Sequence, residues 1–326
     1  MLQEIELMKQ LGSHENLLTM IGYVKMVDNP VIATEYCLYG DLLKILRKHP
    51  LHCMSEERCD RVKVCLLIDD LLRIASQVCS AMIYLSSLNF VHRDIAARNV
   101  LLNDRMVSKL GDFGLCKHID ELLMDQKSGR LPVRHMPYEV LKFGRFSEKT
   151  DVWAFGVLLW EMFTGGQTAL ADVETEDLVH FLDQGGRPEF PASVPEEIAN
   201  LTNNLCLQRD VNNRSNFVEI KEEIDKHLKW TLELLQRKKF AKRAIKLLKS
   251  STNALQLRAL FYTTNASFVP YATLLLKHGS CARDHGVSYV QAFAQRQAPL
   301  WFCPKDMMLG SGEKMQLLKS KSAGKK

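Results

Sequence analysis

Two short runs constrain this chain more than any others: His92-Arg93-Asp94-Ile95-Ala96-Ala97-Arg98-Asn99 and Asp112-Phe113-Gly114, whose aspartates stand 18 positions apart. A carboxylate, a carboxamide five residues on and a second carboxylate beyond a short hairpin make a set of hard oxygen groups. Such a set suits the receipt of a hydroxyl proton beside magnesium held against nucleotide phosphates. Asp94 is the candidate base, and Asn99 and Asp112 are the candidate metal ligands. Either run alone would say little. Found in register, they require a loop that turns back on itself and a hairpin laid beside it.

The two runs resemble those of the protein kinases. The filling Ala96-Ala97-Arg98 is similar to the tyrosine-specific branch, because serine/threonine kinases usually place a lysine two residues after the base. The resemblance implies an α+β, protein kinase-like fold with a mostly helical C-lobe and an incomplete N-lobe. It also implies transfer of the ATP γ-phosphoryl group to a protein tyrosine, with ATP and Mg2+ as cofactors and Arg98 helping to neutralise charge. Kinase-like sequence runs from Met1 to Leu228, about 70% of the chain. On this reading residues 1–36 are a partial N-lobe and 37–228 the C-lobe, with a short insert at 49–68 and an activation segment at 112–139. A basic extension occupies 229–326.

Downstream segments extend the resemblance. Gly129-Arg130-Leu131-Pro132-Val133-Arg134-His135-Met136 is similar to the stretch on which tyrosine kinases seat the substrate phenol, with Pro132 as the flat apolar platform. Pro137-Tyr138-Glu139 stands where the family has Ala-Pro-Glu, so only the acid is retained, and Glu139 is expected to pair with Arg214. Thr150 to Glu161 resembles the central buried helix, where Asp151 caps the helix start and holds the catalytic loop through backbone N–H groups. His92, Arg93 and Phe113 are expected to support the site. Met8 and Met20 read either as ordinary core or as part of an apolar stack with His92 and Phe113.

Val31-Ile32-Ala33-Thr34-Glu35-Tyr36-Cys37-Leu38-Tyr39-Gly40 begins as a β-branched strand and ends at a glycine before a helix start, as a nucleotide-binding hinge does. It resembles receptors of the platelet-derived growth factor and stem cell factor type. Thr34 is then the gatekeeper, and the backbone of Glu35 to Cys37, including Tyr36, seats adenine. Residues 3–9 match a regulatory helix whose glutamate, Glu4, pairs with a strand lysine in active kinases. Neither that lysine nor a Gly-x-Gly-x-x-Gly loop occurs in these 326 residues. The resemblance therefore implies an N-terminally truncated domain of weak activity. The alternative is a silent scaffold or competitor that docks to a full-length kinase as a dimer partner.

Receptor tyrosine kinases carry tyrosines in the activation segment, and none lies between Gly114 and Met136. Switching by phosphorylation there is expected to be lost. Asp120 and Glu121 either pair with Arg93 or Arg134 in partial imitation of a phosphate, or stand solvated.

The remaining composition sets outer limits. A helix is expected over 70–85, with Leu71, Ala75, Val78, Met82 and Leu85 on one stripe, and further helices over 176–182, 195–207 and 217–228. The apolar run Val152 to Phe163 is a dozen residues, too short to span a bilayer, which needs about 20. Nine cysteines without a Cys-x-x-Cys spacing argue against zinc and against a secreted disulfide framework, and Cys53, Cys59 and Cys65 read as free thiols. The setting is the cytoplasm, or the cytoplasmic side of the plasma membrane if the chain belongs to a longer receptor. The net charge of +5 hides a division: 25 Lys/Arg against 34 Asp/Glu through Leu228, but 18 against 4 from Lys229 onward. Residues 237–249 carry seven bases and no acid, with Phe240, Ala241, Ala244, Ile245 and Leu248 in one helical stripe. That segment reads as a solvated extension, as a helix on an anionic membrane surface, or as a helix against the acidic lobe. Nucleic acid is not an expected partner, since no aromatic-basic module accompanies the charge.

Overall fold

The computed structural model describes residues 2–24, 30–48, 66–122 and 131–250, with the backbone alone for 237–250. The expected insert therefore lies almost wholly outside the described residues, together with Cys53, Cys59 and Cys65, Gly129 and Arg130, and everything beyond Ser250. The chain divides into two compact units, Met1–Lys229 and Trp230–Lys326.

In chain order the elements are α1 (Leu2–Leu11), β1 (Met20–Val24), β2 (Val31–Thr34), β3 (Gly40–Asp41), α2 (Leu42–Lys48), α3 (Ile68–Ser87) and β4 (Phe90–Val91). There follow β5 (Val100–Leu102), β6 (Ser108–Leu110), β7 (Lys117–His118), α4 (Ile119–Leu122), α5 (Tyr138–Phe143), α6 (Glu148–Phe163), α7 (Leu178–Asp183), α8 (Glu196–Leu205) and α9 (Phe217–Ser250). The α+β class expected from sequence is the one observed, with helices dominating. The strands form an antiparallel pair β1-β2, a three-stranded sheet in the order β3-β5-β6, and a pair β4-β7.

Helical periodicity decides most of the larger part. On α3 the stripe Leu71, Ala75, Val78, Met82 and Leu85 is at most 1% exposed. α6 is apolar all round and is buried all round from Thr150 to Phe163, as such a helix must be. Gly156 lets it come close to the segment after α8: a Cβ there would lie 2.8 Å from the Cβ of Cys206. The N-terminus of α6 corrects one expectation. Ser147 is the cap, and the Thr150 hydroxyl donates to the Ser147 carbonyl at 2.6 Å. Asp151 lies inside the first turn, which frees its carboxylate for another task.

α9 is longer than expected. Its sequence has neither glycine nor proline from 217 to 250 and is rich in Leu, Glu, Lys and Arg, so nothing local stops it at Leu228. The basic segment 237–249 is thus helical. Among the described residues no helix is long and apolar enough to cross a membrane.

The small N-terminal part is stitched to the helical part through β6. Leu17 makes a parallel bridge with Leu110, the Leu18 N–H donates to the Leu110 carbonyl at 2.8 Å, and the Leu110 N–H donates back to the Asn16 carbonyl at 2.8 Å. Asn16 adds a side-chain bond from Nδ2 to the Ser108 carbonyl at 3.1 Å. β6 runs directly into Asp112, so this seam fixes where α1 sits relative to that carboxylate.

The expected pair of Glu139 and Arg214 forms as a two-pronged contact, with Nη1 to Oε1 at 2.5 Å and Nη2 to Oε2 at 3.1 Å. The Arg214 side chain is fully buried. Its remaining donors are met by the carbonyls of Gln208 and Lys149, at 2.8 and 2.9 Å. A buried guanidinium is tolerated only when its donors are satisfied in this way.

Candidate active site

Local hydrogen bonds build the loop from His92 to Asn99. Asp151, 1% exposed, accepts the backbone N–H of His92 at 2.6 Å and that of Arg93 at 2.9 Å. Two consecutive N–H groups can point at one carboxylate only if the backbone bends sharply, and Arg93 takes φ +68° to do so. The Arg93 guanidinium lies over the Phe146 ring, 4.2 Å from its centre. Burial raises the Asp151 carboxyl while the two N–H donors hold it down; burial prevails and the pKa is pushed up to about 7.

Asp94 is 8% exposed, and both its oxygens are engaged. Arg98 donates to Oδ1, and the Asn99 amide donates to Oδ2 at 2.8 Å and to the Asp94 carbonyl at 2.7 Å. Since Asn99 uses its nitrogen on Asp94, its side-chain oxygen is the atom left for a cation. The Gly111 N–H donates to the Asn99 carbonyl at 2.9 Å, which ties the end of β6 to the loop and places Asp112 beside it.

Asp112 sits at φ +59°, a left-handed conformation that turns its side chain outward while Phe113, 2% exposed, turns in. Phe113 packs under α1 and against His92, with ring centres 5.6 Å apart. His92 is fully buried, and burial holds its pKa below the ordinary value. Its Nδ1 accepts the Asp94 N–H at 3.3 Å. Met8 is core, packed in the same cluster, with Met20 against it.

Across from Asp112 stands Glu4. Its pKa is raised, first by burial and then by the charge of Asp112. Among the described residues Glu4 has no basic partner, so the expected ion pair is not formed there. Asp112 is exposed and accepts a long bond of 3.4 Å from the Gly114 N–H. These features suit magnesium, which takes one or two protein oxygens and completes its shell with phosphate and water.

The hinge residues are placed as follows. Thr34 ends β2, and Tyr36 is 82% exposed. The Glu35 N–H donates to the Thr19 carbonyl at 3.0 Å. The Cys37 carbonyl accepts the Gly40 N–H at 3.0 Å. The Glu35 side chain has a role that sequence reading missed. Oε1 accepts the Thr19 N–H at 2.9 Å and pairs with Lys109 Nζ at 2.9 Å. Burial alone would raise the Glu35 pKa, but Lys109 and Thr19 outweigh it and the net shift is downward. A lysine three residues before Asp112 carries no local sign that it reaches the hinge.

Pro132 is half-buried and opens the 3₁₀ turn Val133–His135. Arg134 donates to the carbonyls of Leu170 and Val173. Asp120 lies 3.3 Å from His118 and its side chain is 87% exposed. Asp120 is thus a solvated surface group, and Glu121 is exposed beside it.

Residues 1–224 match the family described as protein tyrosine and serine/threonine kinase. Among similar proteins, F09A5.2 of Caenorhabditis elegans, provisionally named a tyrosine-protein kinase, is 43% identical over 68% of this chain and 26% of its own length. Tyrosine-protein kinase csk-1 of the same organism is 37% identical over 59% of this chain and 33% of its own. The NT-3 growth factor receptor of Sus scrofa is 35% identical over 67% and 27%. The chain thus spans about a quarter to a third of the length of these relatives.

The raised Asp151 pKa gives a pH dependence with a definite sign. Between its ordinary value of 3.8 and about 7 the folded protein keeps a proton that the unfolded chain has released. Stability from this group is full below pH 3.8 and is lost as pH rises through about 7. Urea denaturation at stepped pH is expected to show this decline in the parent chain. In Asp151→Asn, which keeps one acceptor and cannot ionise, the decline is expected to flatten, and an unchanged slope would exclude Asp151 as its source.

Proposed function

Because the chain belongs to the protein tyrosine and serine/threonine kinase family, we propose that it transfers the γ-phosphoryl group of ATP to a tyrosine hydroxyl of a protein substrate. The observation that carries this reading is the loop in which Arg98 and Asn99 hold both oxygens of Asp94 while the Gly111 N–H ties in the strand that presents Asp112. A phenol seated on Pro132 attacks the terminal phosphorus. Its proton passes to Asp94, the new O–P bond forms, and the bond to ADP breaks. Arg98 keeps Asp94 in place and offsets charge as it develops. Asn99 and Asp112 are the residues that would hold magnesium, whose chemistry is to neutralise the phosphates and align them. Adenine is seated by the Glu35 carbonyl and the Cys37 N–H behind Thr34, with Glu4 placed to pair with a cation above Asp112. His92, Arg93, Phe113, Glu139, Asp151 and Arg214 support this arrangement.

The hinge run from Val31 to Gly40 supports a receptor-type signalling kinase of the platelet-derived growth factor and stem cell factor receptor kind, working at the cytoplasmic face of the plasma membrane with a second kinase as partner. The absence of tyrosine between Gly114 and Met136 supports a loop that is not switched by its own phosphorylation. The helical backbone over 237–249, with its seven bases, supports contact with an anionic membrane surface, to which each basic residue near the lipid adds about 1 kcal/mol.

Two experiments test these readings. With a tyrosine peptide and Mg-ATP, Asp94→Asn is expected to lower kcat by roughly 10²- to 10⁴-fold, the range for loss of a general base. Transfer unaffected by that substitution would exclude Asp94, and a parent chain that binds partners without transferring phosphate would favour the silent scaffold. In vesicle sedimentation the full chain is expected to bind phosphatidylserine vesicles and not phosphatidylcholine, with binding weakened by salt and by glutamates at Lys238, Lys242 and Lys246. Equal binding to both lipids would contradict the membrane reading.

A further inference from the structure

One carboxylate inside the helical part touches both sides of the proposed reaction. Glu161, in the last turns of α6, is 5% exposed. Its Oε2 accepts the Ala97 N–H at 2.8 Å, and its Oε1 lies 3.2 Å from His135 Nε2, close but off the line of a hydrogen bond. His135 is itself 8% exposed, and its backbone N–H donates to the Pro132 carbonyl at 2.8 Å. Ala97 opens the 3₁₀ turn that carries Arg98 and Asn99, three residues after Asp94. Pro132 opens a second 3₁₀ turn, the one that ends at His135. α6 packs against both turns.

We propose that Glu161 and His135 are positioning residues that set the distance between the phenol platform at Pro132 and the base at Asp94. Neither touches the reacting atoms. Glu161 fixes the catalytic turn by one N–H bond, and His135 references the platform turn to the same charge. Each turn has anchors of its own, Asn99 and Gly111 for the first and Arg134 for the second, and the Glu161 carboxylate lies against both. A buried acid with a single donor is poorly compensated, and the His135 imidazole, its Nε2 3.2 Å away, supplies the second polar neighbour. The sequence disguises this role, because Glu161 reads as a lone interruption of an apolar run and His135 as one polar residue among several.

The consequence for catalysis rests on the kinase reading, whereas the coupling rests on geometry alone, and the test separates them. Amide hydrogen exchange is followed on the full chain for His135→Ala, His135→Gln, Glu161→Ala and Glu161→Gln, alongside steady-state transfer to a tyrosine peptide. In His135→Ala, exchange in peptides covering 95–100 is expected to quicken, because the Glu161 carboxylate loses the polar neighbour that holds it beside the Ala97 N–H. kcat is expected to fall, by up to roughly 10²-fold for misplaced reacting groups, with KM for ATP held. His135→Gln and Glu161→Gln, which keep a donor or an acceptor in place, are expected to recover most of both losses. Unchanged exchange over 95–100 in His135→Ala, or a rise in KM for ATP at constant kcat, would overturn the proposal. If Glu161→Ala does not fold, the His135 pair decides the matter. A parent chain without transfer activity would defeat the kinase reading while leaving the exchange result to judge the coupling.

Discussion

The capture of two consecutive backbone N–H groups by the buried carboxylate of Asp151 is the contact on which the site depends. It bends the chain at Arg93 into a left-handed conformation and so decides the direction in which Asp94 leaves the turn. A residue other than glycine holds such a conformation only when its surroundings insist. Here the insistence comes from α6, a helix buried on every side and therefore unable to move without opening the core.

The acids of α6 are placed to grip the loop at two points. Asp151 and Glu161 are ten residues apart, about 15 Å along the axis at 1.5 Å per residue. The first holds His92 and Arg93, and the second holds Ala97. Between them the loop presents Asp94, Arg98 and Asn99. Burying two carboxylates in an apolar helix is costly, and the N–H groups of the loop offset that cost because they would otherwise be buried without partners themselves. Helix and loop thus satisfy each other. On the opposite side of the cleft, the seam from Asn16 to Leu110 sets α1 against the turn at Asp112, which explains how Glu4 comes to feel the Asp112 charge.

Much of this was legible where the signal was local. Asp94, Asn99 and Asp112 fall within 20 residues, so one loop and one hairpin bring them together, and the stripe on α3 gave its buried face directly. The pair of Glu139 and Arg214 spans 75 positions and was read only through a family pattern. Contacts without such a pattern stayed hidden. Lys109 reaching Glu35, and Glu161 joining Ala97 to His135, depend on how separate elements pack, which no spacing encodes. Asp151 was misread as a cap because an acid near a helix start usually is one, whereas Ser147 and Thr150 had already filled that role. α9 runs past Leu228 for the reverse reason: nothing in the sequence stops the helix, although the compact units divide at Lys229.

The central claim is that Asn99 and Asp112 converge where they would hold magnesium on a nucleotide phosphate. The most direct measurement is the ATP-dependent rise in melting temperature of the full chain, with and without magnesium, in the parent and in Asp112→Asn. The account predicts a rise with ATP that magnesium enlarges in the parent, and an enlargement that Asp112→Asn abolishes. A shift indifferent to magnesium in the parent, or a magnesium effect that survives the substitution, would contradict it.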